Sequence, residues 1–457
     1  MEPKPNVRFP LAVSYNERGV LGFTNMSADQ HKINLYYQPI RNAIDGNVTL
    51  YLTRRPGVEE GLTHSGSLAV LEVYHVQTDL TDSFSGNDVQ QGPLAKAFII
   101  SSDGISTRIH DSFGQASTIF VSTSFAPTFL GAGFINSFDT KILQLSYIST
   151  FAGPTPNPQR VLFRRSGMGI GWTEIVSTFT TYTHLGKMEI MDGYAFQMVS
   201  SNRIINSNIN TISTWPAANF ITKEITQDYP VGLAKFRNQI LAFGFETVEV
   251  FYNAGLTPAP LGRIPQLTNR IGLQSKVSDQ SFRTDATEYY ALLDNRMYFN
   301  AGFNGAFSYD GARFEKISTP AIDKIFFETP PYSVDRIICN KEQAVSFRLT
   351  SISATTQRAL LFFPRYNDWF EWNSNLFKPI GNGVLFAGIT GYSRSTFSFG
   401  NKWVDGGNTS STGLEAYSSV IQFQWPTNGS QQRMNLFGVI GDTAVSTTTS
   451  QLQVQFS

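Results

Sequence analysis

The sequence predicts an all-β chain: a β-propeller of about six blades with an additional β-rich platform and very little helix. Three observations predict it. Short apolar runs fill the chain, Asp-Gly pairs punctuate them, and the unit they form recurs along the length.

The runs are four to eight residues long: Val48–Leu52, Leu68–His75, Ala97–Ile100, Gln239–Phe243, Val248–Tyr252, Ala359–Phe363 and Gly383–Phe386. Most are rich in Val, Ile, Phe and Tyr, residues that fit a pleated, half-buried surface. The turn pairs are Asp45-Gly46, Asp103-Gly104, Asp192-Gly193 and Asp310-Gly311. Glycine tolerates positive φ, so Asp-Gly between apolar runs marks a hairpin.

The pattern "apolar run, polar turn, apolar run" recurs near residues 97–121, 142–164, 186–206, 231–252, 288–317, 336–372 and 383–399. The spacing is roughly 40–50 residues, the size of a four-stranded propeller blade. A long β-sandwich, or two stacked sandwiches, fits the same periodicity. One segment reads as helix, Thr319 to Phe327. Thr319 caps it, Pro320 suits the first helical position, and Ile322, Ile325 and Phe326 share a face.

The ends read differently. Residues 1–58 are expected to form an N-terminal arm and platform strands, the first 30 carrying Pro3, Pro5 and Pro10. Residues 59–400 are expected to hold the propeller with its insertions. Residues 401–457 are rich in Ser, Thr, Asn and Gln, yet keep strand patterns at Ser419–Trp425, Leu436–Ile440 and Leu452–Phe456. They form an expected C-terminal β unit packing with the platform.

Bulk composition narrows the function. The chain has 457 residues, 41% of them apolar, enough for a large core. Charged residues are only 15% and the formal net charge is zero, from 35 basic and 35 acidic side chains. Proteins that grip nucleic acid carry a basic excess, because phosphate neutralisation supplies most of the affinity. The overall balance argues against tight wrapping and would suit a surface that lets DNA slide past. The single cysteine, Cys339, excludes an internal disulfide. Met1 to Pro10 lacks the apolar core of a signal peptide, and no run of 18 apolar residues marks a transmembrane helix. Both point to assembly in a cytosol.

The search for chemistry finds no constellation. His31, His64, His75, His110 and His184 show neither a metalloprotease helix motif nor zinc-ligand spacing. Cys339 reads as a small buried hydrophobe in a strand. Gly167-Met168-Gly169-Ile170-Gly171 has no following Gly-Lys-Ser/Thr and reads as a turn. Ser101-Ser102-Asp103-Gly104-Ile105-Ser106-Thr107-Arg108 resembles the Asp-box turn of sialidase-like propellers, but Ile105 stands where that pattern has Gly and Arg108 where it has Trp. Trp369-Phe370-Glu371-Trp372, Trp403 and Trp425 fit core packing or subunit contact better than stacking on bases or sugars. No catalytic, cofactor-binding or metal-binding residue is predicted.

Three stretches, in this order and spacing, resemble a known family. The first is Asn34-Leu35-Tyr36-Tyr37-Gln38-Pro39 with Arg55-Pro56-Gly57-Val58. The second runs Val231-Gly232-Leu233-Ala234-Lys235-Phe236-Arg237-Asn238-Gln239-Ile240, then Phe243-Gly244, Thr247-Val248-Glu249-Val250-Phe251-Tyr252 and Arg270-Ile271-Gly272. The third is Tyr309-Asp310-Gly311 through Ile317-Ser318-Thr319-Pro320. Together they resemble the packaged-DNA stabilization proteins of short-tailed (podovirus-type) phages, also called tail hub or nozzle proteins. The resemblance spans residues 30–425 and is best in 190–330. Residues 59–140 are longer than the family pattern, and the end at Ser457 is earlier.

The resemblance implies a structural virion protein and not an enzyme. Such a protein forms a homo-hexamer below the portal and adaptor, a head-to-tail connector that continues the DNA channel. It helps retain the packaged genome until ejection and attaches fibres, spikes or a needle. Double-stranded DNA passes through the lumen without sequence-specific binding, no membrane segment is involved, and the protein sits in the virion tail after assembly in the host bacterial cytoplasm. Two other readings stand beside it. One is a carbohydrate-active propeller, sialidase-like or a depolymerase, resting on the imperfect Asp-box and the tryptophans. The other is a receptor-binding fibre or lectin-like module.

Overall fold

The computed structural model describes residues 184–273 and 290–374 with few gaps, together with strands between 31 and 174 and between 378 and 422. Nearly every described element is a strand; one α-helix, Pro320–Glu328, and one short 3-10 turn, Gly302–Asn304, accompany them. Compactness divides the chain into Met1–Phe423 and Gln424–Ser457, the second lying outside the described residues.

Among the described residues of the first unit the strands form six four-stranded antiparallel sheets, one six-stranded sheet whose first four strands are a seventh antiparallel blade, and a two-stranded hairpin. Blade 1 holds Ala69–Val76, Lys96–Ser102, Thr107–Asp111 and Thr118–Ser122. Blade 2 holds Pro127–Ser137, Thr140–Ser149, Gln159–Arg165 and Thr173–Glu174. Blade 3 holds His184–Met191, Tyr194–Val199, Arg203–Asn206 and Phe220–Thr222. Blade 4 holds Pro230–Phe236, Gln239–Gly244, Val248–Asn253 and Leu261–Asn269. Blade 5 holds Tyr290–Leu293, Arg296–Asn300, Ala306–Tyr309 and Phe314–Lys316. Blade 6 holds Pro331–Cys339, Glu342–Leu349, Gln357–Phe363 and Asp368–Ser374. Blade 7 takes Lys378–Ile380, Leu385–Ala387 and Thr396–Val404 from late in the chain, and its outer strand, Gly57–Ser65, from early in it. Lys378–Ile380 also lies beside Ala69–Val76, so the series of first strands closes on itself.

The all-β propeller class expected from the sequence is borne out, with seven blades among the described residues where about six were expected. Each of the seven recurring sequence segments falls on one blade. The estimate fell short because blades differ in length, blade 5 running only from Tyr290 to Lys316, and because blade 7 is assembled from two distant parts of the chain.

Parity along the strands explains why the runs are continuous rather than alternating. Successive residues of a strand point to opposite faces. In Gln239–Gly244, Ile240 and Ala242 pack toward blade 3 with Phe196, Met198 and Ile204. Leu241 and Phe243 pack toward blade 5 with Met297, Phe299 and Tyr309. All four are fully buried. A sheet with one wet face would expose every second residue; a blade between two blades exposes neither set. Blade 6 repeats the arrangement. Val345, Phe347, Leu360, Phe362 and Trp369 face blade 5 and the helix. Ala344, Ala359, Leu361, Phe370 and Trp372 face Leu35, Tyr36 and Tyr37. Those three residues lie on the hairpin Leu35–Arg41 and Val48–Arg54.

The helix forms where the sequence places it. Thr319 is the N-cap, its hydroxyl accepting from the Ile322 N–H at 3.4 Å, and Pro320 opens the helix. Ile322 and Phe326 are buried between blades 5 and 6, while Phe327 is left exposed. The Asp192-Gly193 turn is a hairpin with φ of 51° and 80°, as the pair requires. Asp294-Asn295 makes the same kind of turn at 48° and 59° without glycine, the αL tolerance of Asn and Asp substituting for it.

Candidate functional site

The residues that carry the sequence resemblance collect at the junctions between blades. At one end of blade 4, Asp228 holds the tight turn between Gln239–Gly244 and Val248–Asn253. Its carboxylate accepts from the backbone N–H groups of Phe245 at 3.1 Å, Glu246 at 2.9 Å and Thr247 at 2.9 Å, and from the Thr247 hydroxyl at 2.9 Å. Lys223, fully buried, donates to Thr247 Oγ1 at 2.7 Å and reaches Asp228 Oδ2 at 3.4 Å. A buried ammonium is costly unless paired and hydrogen-bonded, and this one is both.

Two glycines make that packing possible. A Cβ on Gly244 would stand 2.1 Å from Asp228 Oδ2 and 2.7 Å from Lys223 Nζ. A Cβ on Gly272 would stand 2.2 Å from the Phe245 carbonyl oxygen. That neighbour is backbone and cannot swing aside. Replacing Gly272 with Ala is therefore expected to cost about 1–3 kcal/mol, read from the urea midpoint; an unchanged midpoint would mean the Phe245 turn relaxes freely.

Glu249, also fully buried, binds blade 4 to the end of blade 3. One carboxylate oxygen accepts from the Ile225 N–H at 3.0 Å, and the other pairs with Arg263 Nε at 2.9 Å. Arg263 in turn donates to the Thr222 carbonyl at 2.7 Å. On the blade 5 side the second and third stretches meet. The Tyr309 hydroxyl donates to Gln239 Oε1 at 2.7 Å, and Gln239 Nε2 donates to the Gly311 carbonyl at 3.2 Å. Burial pushes the Tyr309 hydroxyl up to about 12, so it stays a donor. Asp310, held below the usual carboxylate range by the N–H groups of Ala312 and Arg313, shapes the turn that presents Gly311.

The first stretch supplies a clasp on blade 6. Strand His31–Ile33 lies along the blade's outer edge, and Lys32 is fully buried. Its ammonium donates to Asp368 Oδ2 at 2.5 Å and to the Tyr37 hydroxyl at 3.1 Å, while Tyr37 donates to the same carboxylate oxygen at 2.7 Å. It also lies 4.9 Å from the centroid of the Phe370 ring. Trp372 Nε1 donates to the Leu35 carbonyl at 2.8 Å, and Arg358 grips Glu371 through two bonds of 2.8 and 2.9 Å.

The sequence-selected polar and aromatic residues fall as follows. Trp369 and Trp372 are core, on opposite faces of blade 6. His31, His64, His75, His110 and His184 lie on five different strands. Cys339 ends the first strand of blade 6. Ser102 and Thr107 pair across the hairpin of the Asp-box-like stretch; its turn, the glycine cluster 167–171 and Trp425 lie outside the described residues. Among those described, no three His, Cys, Asp or Glu side chains assemble a metal site, and no helix is long and apolar enough to cross a membrane. Sequence reading did not single out Lys32, Lys223, Asp228 or Asp368. On the surface, Tyr229 and Ile225 stand exposed on the loop that joins blades 3 and 4, Phe327 on the helix between blades 5 and 6, and Ile209 and Leu256 on loops within blades 3 and 4.

Comparison with known proteins agrees with this geometry. No curated protein matches the chain. A solved chain from "Crystal Structure of Mitotic Checkpoint Complex" superposes with a TM-score of 0.42 at 8% identity, over 74% of this chain and 96% of that one, a likeness too loose to carry an argument. The model of the phage stabilisation family, described as bacteriophage P22 Gp10, beta-propeller, matches residues 170–346. That stretch contains blades 3 to 5, the helix and the first strand of blade 6, so the middle of this chain is similar to the phage stabilisation family, a β-propeller family, which bears out the resemblance read from the sequence.

Proposed function

We propose that this chain is a structural protein of a phage tail, a hub or nozzle subunit that extends the portal–adaptor channel and helps retain the packaged genome. The family match over blades 3 to 5 carries the reading. The site geometry supports it: the resemblance-bearing residues hold turns and blade junctions rather than presenting reactive groups to solvent. The balanced charge supports it too, since a surface without basic excess lets DNA slide.

In this reading six copies close a ring by head-to-tail contact, which uses two different patches on each subunit. The ring lies in the virion tail, is assembled in the host bacterial cytoplasm, and carries fibres, spikes or a needle on its far side. Purified chain mixed with the portal–adaptor complex is expected to join it as a ring of six, read by the mass of the complex. A chain that stays monomeric and never co-sediments with tail particles would contradict the proposal.

A further inference from the structure

The outer edge of blade 6 gathers segments from both ends of the propeller unit. His31–Ile33 runs parallel to Asp368–Ser374, with Ile33 opposite Glu371 and the Asn34 N–H donating to the Glu371 carbonyl at 2.7 Å. Val420–Gln422 then pairs antiparallel with His31–Ile33, from His31 opposite Gln422 to Ile33 opposite Val420. Among the described residues, Val420–Gln422 has no other sheet partner. The order of strands is therefore blade, N-terminal strand, C-terminal strand.

A strand of three residues brings few ladder bonds, and so short a pairing is marginal by itself. The N-terminal strand has a second hold. Lys32 passes into the blade 6 face, where Asp368, Tyr37 and the Phe370 ring surround its ammonium. Among the described residues, Val420–Gln422 joins the sheet of blade 6 through its pairing with this strand alone. We propose that Lys32 is a charge-locked clasp that makes docking of the C-terminal strand conditional on docking of the N-terminal one. The two ends of the propeller unit are thereby coupled in one direction. A pull that extracts His31–Ile33 also frees the segment leading into residues 424–457, whereas detaching Val420–Gln422 leaves the N-terminal strand in place.

Hydrogen exchange on the full chain tests this. In Lys32→Ala the amides of 31–33 and of 420–422 are both expected to exchange at least about a hundred-fold faster, because a broken buried ion pair leaves a carboxylate uncompensated. Leu241 and Phe299, in blades 4 and 5, keep their rates. In Ile421→Pro only 420–422 loses protection. Retained protection of 420–422 in Lys32→Ala overturns the coupling. Loss of 31–33 in Ile421→Pro as complete as in Lys32→Ala overturns its direction. Were Lys32→Ala to unfold throughout, with Leu241 and Phe299 unprotected, Ile421→Pro alone decides: protection kept at 31–33 supports the clasp, and protection lost there refutes it.

Discussion

Replacing Asp228 with Ala is expected to destabilise the chain by about 3–5 kcal/mol, the range for removing one partner of a buried charge pair. One carboxylate satisfies three backbone N–H groups and the Thr247 hydroxyl, and it faces the buried Lys223 ammonium. Its loss orphans the turn after Gly244 and leaves a cation without water or a counter-charge. Chemical denaturation reads the shift. Adding Lys223→Met to the same chain is expected to recover part of the loss, because an apolar side chain of similar length tolerates that site once the acid is gone. If the double variant is less stable than Asp228→Ala alone, the cost lies in the turn and not in the stranded charge.

Trp369→Ala is expected to cost a similar amount, about 3–5 kcal/mol. The indole is fully buried where blade 5, blade 6 and the helix meet, with ring centroids of Phe362, Phe347 and Phe326 at 5.1, 5.3 and 6.2 Å. Its Nε1 donates to the Ile317 carbonyl at 3.1 Å, so truncation opens a cavity and strands a carbonyl at once. Phe327, on the outer face of the same helix, serves as the control, since Phe327→Ala is expected to stay within about 0.5 kcal/mol of the parent. Equal losses from both would mean that the helix is held by its outer face, contrary to the packing described.

Strand content was legible because the runs are long enough to read. Ile240-Leu241-Ala242-Phe243 is unmistakably apolar, and the capped, proline-initiated helix after Thr319 announces itself. The same run also held the answer to propeller against sandwich, since four consecutive buried residues require two buried faces. Blade number was less legible. Gly57–Ser65 gives no local sign that it pairs with Thr396–Val404, because closure is a property of the whole circuit.

The buried charges were the least legible. Lys32 and Asp368 are 336 residues apart, and each resembles an ordinary surface residue until the fold brings them together. Lys223 and Glu249 are no different. Asp294-Asn295 was missed for a related reason: it makes a hairpin turn through the αL tolerance of its side chains, without the glycine that marks the other turns. The family-like stretches, by contrast, show their likeness in the sequence but not their structural task. Gly244, Thr247, Glu249 and Gly272 turn out to secure one end of blade 4, and Gln239 with Tyr309 secures the next junction.

The central claim is that the chain works by position in a particle rather than by chemistry at a site. An image of the assembled tail, at resolution enough to recognise a propeller, tests it most directly. Six propellers arranged around the DNA channel below the portal and adaptor are the predicted result. Particles that lack the chain, or carry it as a three-fold distal fibre, would contradict the claim.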